Sequence, residues 1–474
     1  MRIPLLIALL ALASCVRNPA TGKLQLDLVS ESQEIDLGKQ AKAEAEQQYG
    51  LYKEKPALNQ YVADLGKQLA AVSGRPQLPW SYEIVDDNSV NAFALPGGPV
   101  FVTRGILSYL TSEAELAAVM GHETGHVSAR HSANQMSKAQ IAQLGLGVGS
   151  IVSPTLGSLA QVAGAGLQLL FLKYSRDDET QADELGFRYM TKIGYDPRQM
   201  IPLFEMLDGV TRQAGGGKTP EWLETHPDPG NRLQATQKRL QTELKGSPEA
   251  MKVEKDKYMQ MIDGIAFGDD PRQGYFKGDT FIHPDLKFQW TLPKGWQHQN
   301  TAQAVAAQSP KQDAILALQS AGKMSPEEAA QKLFTQQGVQ QGQPVNVHGA
   351  KVARSFQAQT QQGAVEGVAA FIPYHDTTWV LLGYTPQGGL ANYGNTFLDS
   401  MSSFGELKDA AAANVQPARL KIVRIAQPMS VNDFNAKYPS SIKLEELALI
   451  NGVKSGGQIP AGYAKQVTGG VAQK

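Results

Sequence analysis

Residues 119–127 read VMGHETGHV, which places His122 and His126 four positions apart, with Glu123 beside the first histidine. Residues four apart project from one face of an α-helix, so both imidazoles can bind a single zinc ion. Glu123 would then reach a water on the metal and act as general base. The apolar residues 116–120 predict that this helix is buried, and buried imidazoles need partners, which a metal provides. Two unrelated histidines on a solvated helix face fit this setting poorly.

A catalytic zinc site needs a third protein ligand and leaves one position for water. No histidine stands at the spacing of HExxHxxGxxH, and His131 lies five residues after His126, off the ligand face, where we expect a structural role. The acidic run at 175–184 (SRDDETQADE) offers Glu179 and Asp183, four apart on a second predicted helix. Glu179 could bind the zinc while Asp183 accepts an imidazole N–H. The same acids could equally complement the positive end of their helix, and spacing alone leaves both interpretations open.

Four motifs occur in a fixed order along residues 30–245: NAFALPGGPVFVTRGIL from residue 91, HETGH, ETQAD from residue 179, and THPDPGNRL from residue 225. Together they resemble the HtpX/BepA-type, CAAX-prenyl-protease-like family of gluzincin metallopeptidases. This resemblance implies that His122, His126 and Glu179 bind one zinc ion per chain and that Glu123 is catalytic.

The same resemblance suggests roles for two further segments. Asn91, Ala92 and Phe93 would belong to an exposed edge strand, against which an extended substrate forms main-chain hydrogen bonds. An ordinary hairpin strand is the alternative. His226 matches a family histidine near the metal, where it either stabilises the oxyanion or occupies the fourth position and keeps the enzyme latent. It could also be a simple loop histidine.

The first fifteen residues, MRIPLLIALLALASC, combine one positive charge with a short apolar run, the pattern of a secretory signal. The segment LASC resembles a bacterial lipobox, which implies that Cys15, the only cysteine of the chain, is lipidated. Val16, rather than an aspartate, follows this cysteine. By resemblance to the sorting rules of bacterial lipoproteins, this favours localisation at the outer membrane. We therefore expect a lipid-anchored protein at the periplasmic face of a bacterial membrane, with residues 16–30 as a tether. A plain cleaved signal is the alternative.

Three folded regions are predicted beyond this tether. Helical periodicity dominates residues 31–268, which predicts a mainly α, zincin-like metallopeptidase domain with a small sheet. Its stretch between Lys138 and Lys173 carries no charge, but glycines and a Ser-Pro step favour two packed helices over a membrane span. Alternation and aromatic content predict an α+β domain with an antiparallel sheet at 276–407.

The C-terminal part is predicted to be a linker at residues 408–418 and a small module at 419–468. The module resembles a degenerate LysM unit with a βααβ order. It has Gln427-Pro428-Met429 where a glycine-aspartate-threonine is usual, so both glycan binding and a docking role remain open.

The net charge of −1 is not the strongly positive charge that is typical of nucleic-acid-binding proteins. We therefore do not expect a nucleic acid as a partner. The leading prediction is a zinc-dependent endopeptidase that hydrolyses envelope proteins, with misfolded or stalled outer-membrane proteins as candidate substrates. The alternative is a periplasmic chaperone or assembly scaffold, or a peptidoglycan-associated protein, whose proteolysis is secondary. Expected partners are protein substrates, the membrane through Cys15, and either outer-membrane assembly machinery or peptidoglycan.

Overall fold

The structure is a computed structural model, which describes residues 15–145, 173–213, 221–226, 229–244, 250–301, 303–360 and 363–470. The predicted signal segment before Cys15 and most of the uncharged stretch after Lys138 lie outside these ranges. Within them, no helix combines the length and apolar character needed to cross a membrane. The chain forms two compact units, one running to Asp269 and resuming at Ala418, the other comprising Asp270–Pro417.

Residues 16–30, predicted to be a tether, instead fold onto the first unit. Strand β1 (Cys15–Arg17) pairs antiparallel with β2 (Leu24–Leu26), and the buried Asn18 lies in the turn between them. The Asn18 amide donates to the carbonyl of Ala129 at 2.9 Å, where the helix that carries HETGH ends. The last carbonyls of a helix lack partners within it, and Asn18 supplies one. The tether interpretation is therefore wrong for these residues, while lipidation of Cys15 stays a prediction.

The first unit is mainly helical around a small sheet, as expected. In that three-stranded sheet the central strand β5 (Pro99–Thr103) pairs in parallel with β3 (Ser81–Val85) and antiparallel with β4 (Ala92–Ala94). The helices, in chain order, are α1 (Glu31–Tyr49), α2 (Pro56–Val72), α3 (Arg104–Tyr109), α4 (Glu113–Ser128), α5 (His131–Gly145), α6 (Arg176–Lys192), α7 (Met200–Gln213), α8 (Glu221–Thr225), α9 (Pro229–Glu243) and α10 (Lys255–Ile262).

Helix α4, which carries HETGH, is buried along its whole length. Ser112 caps its first turn by accepting from the backbone N–H of Glu115 at 3.2 Å. Such burial confirms the expectation from the apolar residues before His122. It also explains why every polar group on the helix needs a partner inside the protein.

The second unit is built on a seven-stranded antiparallel sheet in the order β12-β13-β14-β15-β11-β10-β9. Helix α11 (Pro326–Phe334) contributes to the core that contains Phe371, whereas α12 (Leu390–Ser402) contributes to the core that contains Ala370. Neighbouring residues of a strand point to opposite faces, so each helix covers one face. The α+β prediction for this region is confirmed. The strands are β6 (Tyr275–Lys277), β7 (Thr280–His283), β8 (Phe288–Thr291), β9 (Gln297–Asn300), β10 (Ala304–Gln308), β11 (Ile315–Ser320), β12 (Val339–Pro344), β13 (Val352–Thr360), β14 (Gly363–Tyr374), β15 (Thr377–Pro386) and β16 (Gly405–Glu406).

The predicted linker contains a short helix, α13 (Ala410–Ala413), whose Ala412 is buried against Ile282 and Leu407 of the second unit. The C-terminal segment after it has the two expected central helices, with two strands rather than one on each side of them. Its elements are β17 (Ala418–Ile425), β18 (Met429–Ser430), α14 (Val431–Lys437), α15 (Leu444–Ile450), β19 (Gln458–Ile459) and β20 (Gly462–Gly469).

This C-terminal segment is not a separate body, because its apolar residues join the core of the peptidase helices. Its buried Lys465 donates to the carbonyl of Ser108 at 2.7 Å, near the end of α3. The LysM likeness stays a prediction.

Candidate metal centre

Two helices that approach closely bring the predicted ligands together. A Cβ added to Gly186 of α6 would lie 2.9 Å from the backbone nitrogen of His122, and one on Gly125 of α4 would lie 2.8 Å from the carbonyl oxygen of Ala182. Only residues without a side chain allow this separation. Glycines in both HETGH and the acidic helix therefore bring Glu179 within reach of the histidines.

Four buried side chains converge on one point: His122, His126, Glu179 and His226. The His122 Nε2 lies 3.0 Å from the His126 Nε2, and the Glu179 carboxylate lies 3.3 Å from the His126 Nε2 and 3.6 Å from the His122 Nε2. The His226 Nδ1 lies 3.0 Å from Glu179. Ligands on a tetrahedral zinc ion are about 3.4 Å apart, given bonds of about 2.1 Å. The spacing of these atoms fits a metal ion held by imidazole nitrogens and one carboxylate.

Glu123 is a buried carboxylate without a hydrogen-bond partner among the described residues. Its nearest basic atom is the His226 Nε2 at 3.6 Å. Burial raises the pKa of Glu123 to about 7. Buried polar groups are nearly always paired, so two unpaired oxygens beside a convergent donor set indicate a place for a water or a substrate group. Glu123 is positioned to accept a proton there.

Asp183 contacts His122, which is one of the two arrangements that the sequence left open. Its Oδ1 lies 2.8 Å from the His122 Nδ1, which leaves Nε2 facing the cluster. Arg232 of α9 donates to both Asp183 oxygens, at 2.8 and 2.7 Å, and pairs with Glu179 at 3.0 Å. Sequence reasoning assigned no role to Arg232. The available signal was its place in THPDPGNRL, six residues after His226.

The electrostatics favour a neutral His122 and ionised Asp183 and Glu179. Burial, followed by the Arg232 charge, lowers the pKa of His122 to about 3, so the ring is unprotonated and able to bind a metal. Burial opposes ionisation of Asp183, but Arg232 and His122 outweigh it and lower the pKa of Asp183 to about 2. Burial likewise opposes ionisation of Glu179, but His226 and Arg232 hold its pKa well below the usual range.

The ring of His126 is fixed from the other side. The His131 Nδ1 lies 2.8 Å from the His126 Nδ1, and the His131 Nε2 lies 3.0 Å from the Gln181 carbonyl oxygen. Tyr174 stacks on His126 with ring centroids 3.9 Å apart. His131 therefore lies outside the cluster and holds the ring of His126 in place.

Strand β4 is an edge strand, but its side chains are not exposed. Asn91, Ala92 and Phe93 are all buried, and Phe93 stacks on Phe101 with centroids 5.0 Å apart. The strand lies at the sheet edge, and its side chains are buried because the aromatic residue fills a core against α1. Its role in substrate binding stays a prediction. A narrow cleft that Ala94 shares with His126 and Tyr174 does place the end of this strand beside the cluster.

An HExxH helix, a glutamate from a second helix and a buried carboxylate beside the first histidine are the parts of a gluzincin-type metallopeptidase centre. Residues 56–240 belong to peptidase family M48, which confirms the resemblance seen in the four motifs.

Several curated proteins match part of the chain. The beta-barrel assembly-enhancing protease of Yersinia pestis is 32% identical over 204 residues, which is 41% of each chain. The mitochondrial metalloendopeptidase OMA1 of Schizosaccharomyces pombe is 35% identical over 181 residues, which is 38% of this chain and 52% of that one. The putative beta-barrel assembly-enhancing protease of Vibrio cholerae is 35% identical over 192 residues, 39% of each. The chain thus spans about two fifths to one half of the length of these relatives.

Proposed function

We propose that the chain is a zinc-dependent endopeptidase of the bacterial cell envelope, and that His122, His126 and Glu179 hold one zinc ion. The observation that carries this proposal is the convergence of these buried side chains beside the unpaired Glu123. Three imidazole nitrogens and a carboxylate oxygen that converge on one point are the donor set of a divalent cation such as zinc.

Bound zinc would activate a water and polarise the scissile carbonyl. Glu123 takes the proton of that water and later gives it to the leaving amine. Asp183 and Arg232 keep His122 in the tautomer whose Nε2 is free, since Asp183 accepts the Nδ1 proton. His226 stacks on Trp222 at 4.3 Å and lies between Glu123 and Glu179, so it either binds the metal as a fourth ligand or donates to the oxyanion.

The sheet edge offers a way to bind an unfolded substrate. Only one side of β4 pairs with β5, and its last residue, Ala94, lines the cleft that reaches His126. An extended peptide that adds to this edge gains main-chain hydrogen bonds with little sequence selectivity. Such binding suits misfolded or stalled envelope proteins, whose exposed backbone is their common feature.

The envelope assignment rests on two supports. The names of the relatives from Yersinia pestis and Vibrio cholerae refer to β-barrel assembly. The N-terminal sequence has the pattern of a secretory signal that ends in a lipobox-like segment at Cys15. Together they favour a lipid-anchored peptidase at the periplasmic face of the outer membrane that acts near outer-membrane assembly.

The test is cleavage of an unfolded β-barrel protein by the zinc-loaded full chain, followed by mass spectrometry of the new termini. We expect internal cuts by the wild type, none by Glu123→Gln, and wild-type rates for the matched variant Glu184→Gln on α6. Zinc content is measured in all three proteins. A zinc-loaded wild type that binds the substrate without cutting it would favour the scaffold alternative.

A further inference from the structure

A cavity that is partly open to solvent adjoins the candidate metal centre and lies between α6 and α9. Glu179 and Asp183 form one wall, and three arginines, Arg176, Arg232 and Arg239, form the rest of its charged lining. We name this cavity the arginine pocket. Glu179 belongs to both the pocket and the metal cluster, so the two spaces are immediate neighbours.

The charges of this lining do not cancel. Arg232 donates twice to Asp183 and forms an ion pair with Glu179 at 3.0 Å. Glu179 itself faces the histidines. Those contacts engage the two carboxylates, and Arg239 remains as the buried charge that the pocket presents to an incoming group.

Arg239 is the clearest sign that a partner is missing. Its side chain is only 11% exposed, and its Nε and Nη1 atoms are buried without a hydrogen bond to any described residue. The nearest acid is Glu243, one turn along α9 at 3.5 Å and itself 46% exposed, which makes a weak ion pair. A guanidinium is a fork of donors suited to a carboxylate, and such groups are rarely buried without one.

We propose that the arginine pocket binds a carboxylate of the peptide substrate and so determines which peptides are cut. This inference rests on the proposed function, because it is the peptide held at the metal that would reach past Glu179 into the pocket. The carboxylate has two sources, an acidic side chain near the scissile bond or the free C-terminus of the peptide.

The experiment measures kcat/KM for four quenched fluorescent peptides of one sequence. Two carry Glu or Gln at a position flanking the scissile bond, and two carry a free or an amidated C-terminus. A charge-assisted bond to a buried guanidinium predicts on the order of a tenfold preference for the anionic member of one pair. A Glu-over-Gln preference assigns the pocket to a side chain, and an acid-over-amide preference assigns it to the C-terminus.

Arg239→Gln is expected to bring the ratio of kcat/KM for the anionic peptide to kcat/KM for the neutral peptide close to one. The matched control is Arg188→Gln, an exposed arginine on α6 that pairs with Glu184 and should keep the full preference. Arg239→Lys retains the positive charge without the bidentate guanidinium, so it should show an intermediate preference. It also tests the proposal if Arg239→Gln does not fold. Thermal unfolding of each variant shows whether it is folded. Equal rates on all four peptides by the wild type would overturn the proposal.

Binding separates this inference from the proposed function. Fluorescence anisotropy of the same peptides on Glu123→Gln needs no turnover. If the wild type cleaves nothing, the proposed function fails, yet tighter binding of an anionic peptide that Arg239→Gln abolishes still supports the pocket. Equal binding of charged and neutral peptides overturns the pocket even if cleavage is robust.

Discussion

Two buried clusters of charged groups flank the HETGH helix, and they are built on opposite principles. In the first, the Arg75 guanidinium makes two bonds of 2.9 Å to Glu34 and a third to Glu31, and Arg130 adds another to Glu34 at 2.9 Å. Every charge there faces an opposite charge of the protein. In the candidate metal centre, by contrast, imidazoles face imidazoles, and the Glu123 oxygens have no hydrogen-bond partner among the described residues.

The contrast distinguishes a structural cluster from a functional one. An ion-pair network is complete without a ligand, so its loss affects the fold. A convergent set of unpaired donors and acceptors is complete only with a cation and a water. Substituting one of its residues therefore affects metal binding and catalysis. The predictions below test this division.

The largest expected effect comes from Glu123→Gln. Peptide hydrolysis should fall about 10³-fold, because the base is lost while the ligands remain. The unfolding free energy should not fall, since the buried carboxylate has no partner to lose. Steady-state kinetics and denaturant unfolding, both on zinc-loaded protein, provide the measurements. If the unfolding free energy fell by as much as the activation free energy of hydrolysis rose, Glu123 would be a structural residue.

The same substitution at Glu34 should behave in the opposite way. Glu34→Gln removes the negative charge that Arg75 and Arg130 face in the interior. This should lower the unfolding free energy by about 3–5 kcal/mol. Zinc stoichiometry of the folded protein should stay at the wild-type value. Asp64→Asn, which breaks the exposed pair with Lys67, is the control and should leave the stability close to that of the wild type. The division fails if Glu34→Gln releases the zinc from folded protein.

Asp183 belongs to both kinds of cluster, because it contacts His122 of the candidate metal centre and forms an ion pair with Arg232. Asp183→Asn weakens its hold on the His122 ring and should lower zinc affinity about 10–100-fold, as measured by competition with a chromogenic chelator. Asp177→Asn on the exposed first turn of α6 should leave the affinity unchanged. Wild-type affinity in Asp183→Asn would mean that Arg232 alone fixes the ligands.

The smallest expected effect concerns Lys465, a buried charge outside both clusters. Burial lowers the pKa of Lys465 to about 7, with Glu115 acting against it and Lys255 with it. An unfolded lysine titrates near pH 10.4, so above pH 7 the unfolded chain binds more protons than the folded one, and stability rises with pH. From pH 7 to 9 the wild type should gain about 2 kcal/mol relative to Lys465→Met.

Denaturant unfolding at several pH values measures this slope. The exposed Lys421 on the paired strand β17 supplies the control, because Lys421→Met should retain the wild-type slope. A parallel pH dependence in the wild type and Lys465→Met would show that Lys465 remains charged when buried.

The sequence predicts the parts of this protein that depend on local spacing. His122 and His126 follow from helical periodicity, and the burial of their helix follows from the apolar residues that precede them. Glu179 needed more than spacing, since the acidic run also fits a solvated helix end. The motif order resolved that choice.

Contacts between distant residues could not be predicted in this way. Asn18 and Ala129 are 111 positions apart, and Lys465 and Ser108 are 357 apart. Nothing in the pattern of either polar residue marks it as a helix-end partner, so the N-terminal segment was interpreted as a tether and the C-terminal segment as a free module. Arg232 was missed for the same reason, because its partners lie on another helix.

The most direct test of the central claim is elemental analysis of the full chain purified without chelators, beside His126→Ala and Glu179→Ala. We predict one zinc per wild-type chain and a large loss of bound zinc in each folded variant. A folded wild type with no stoichiometric zinc or other transition metal would contradict the account.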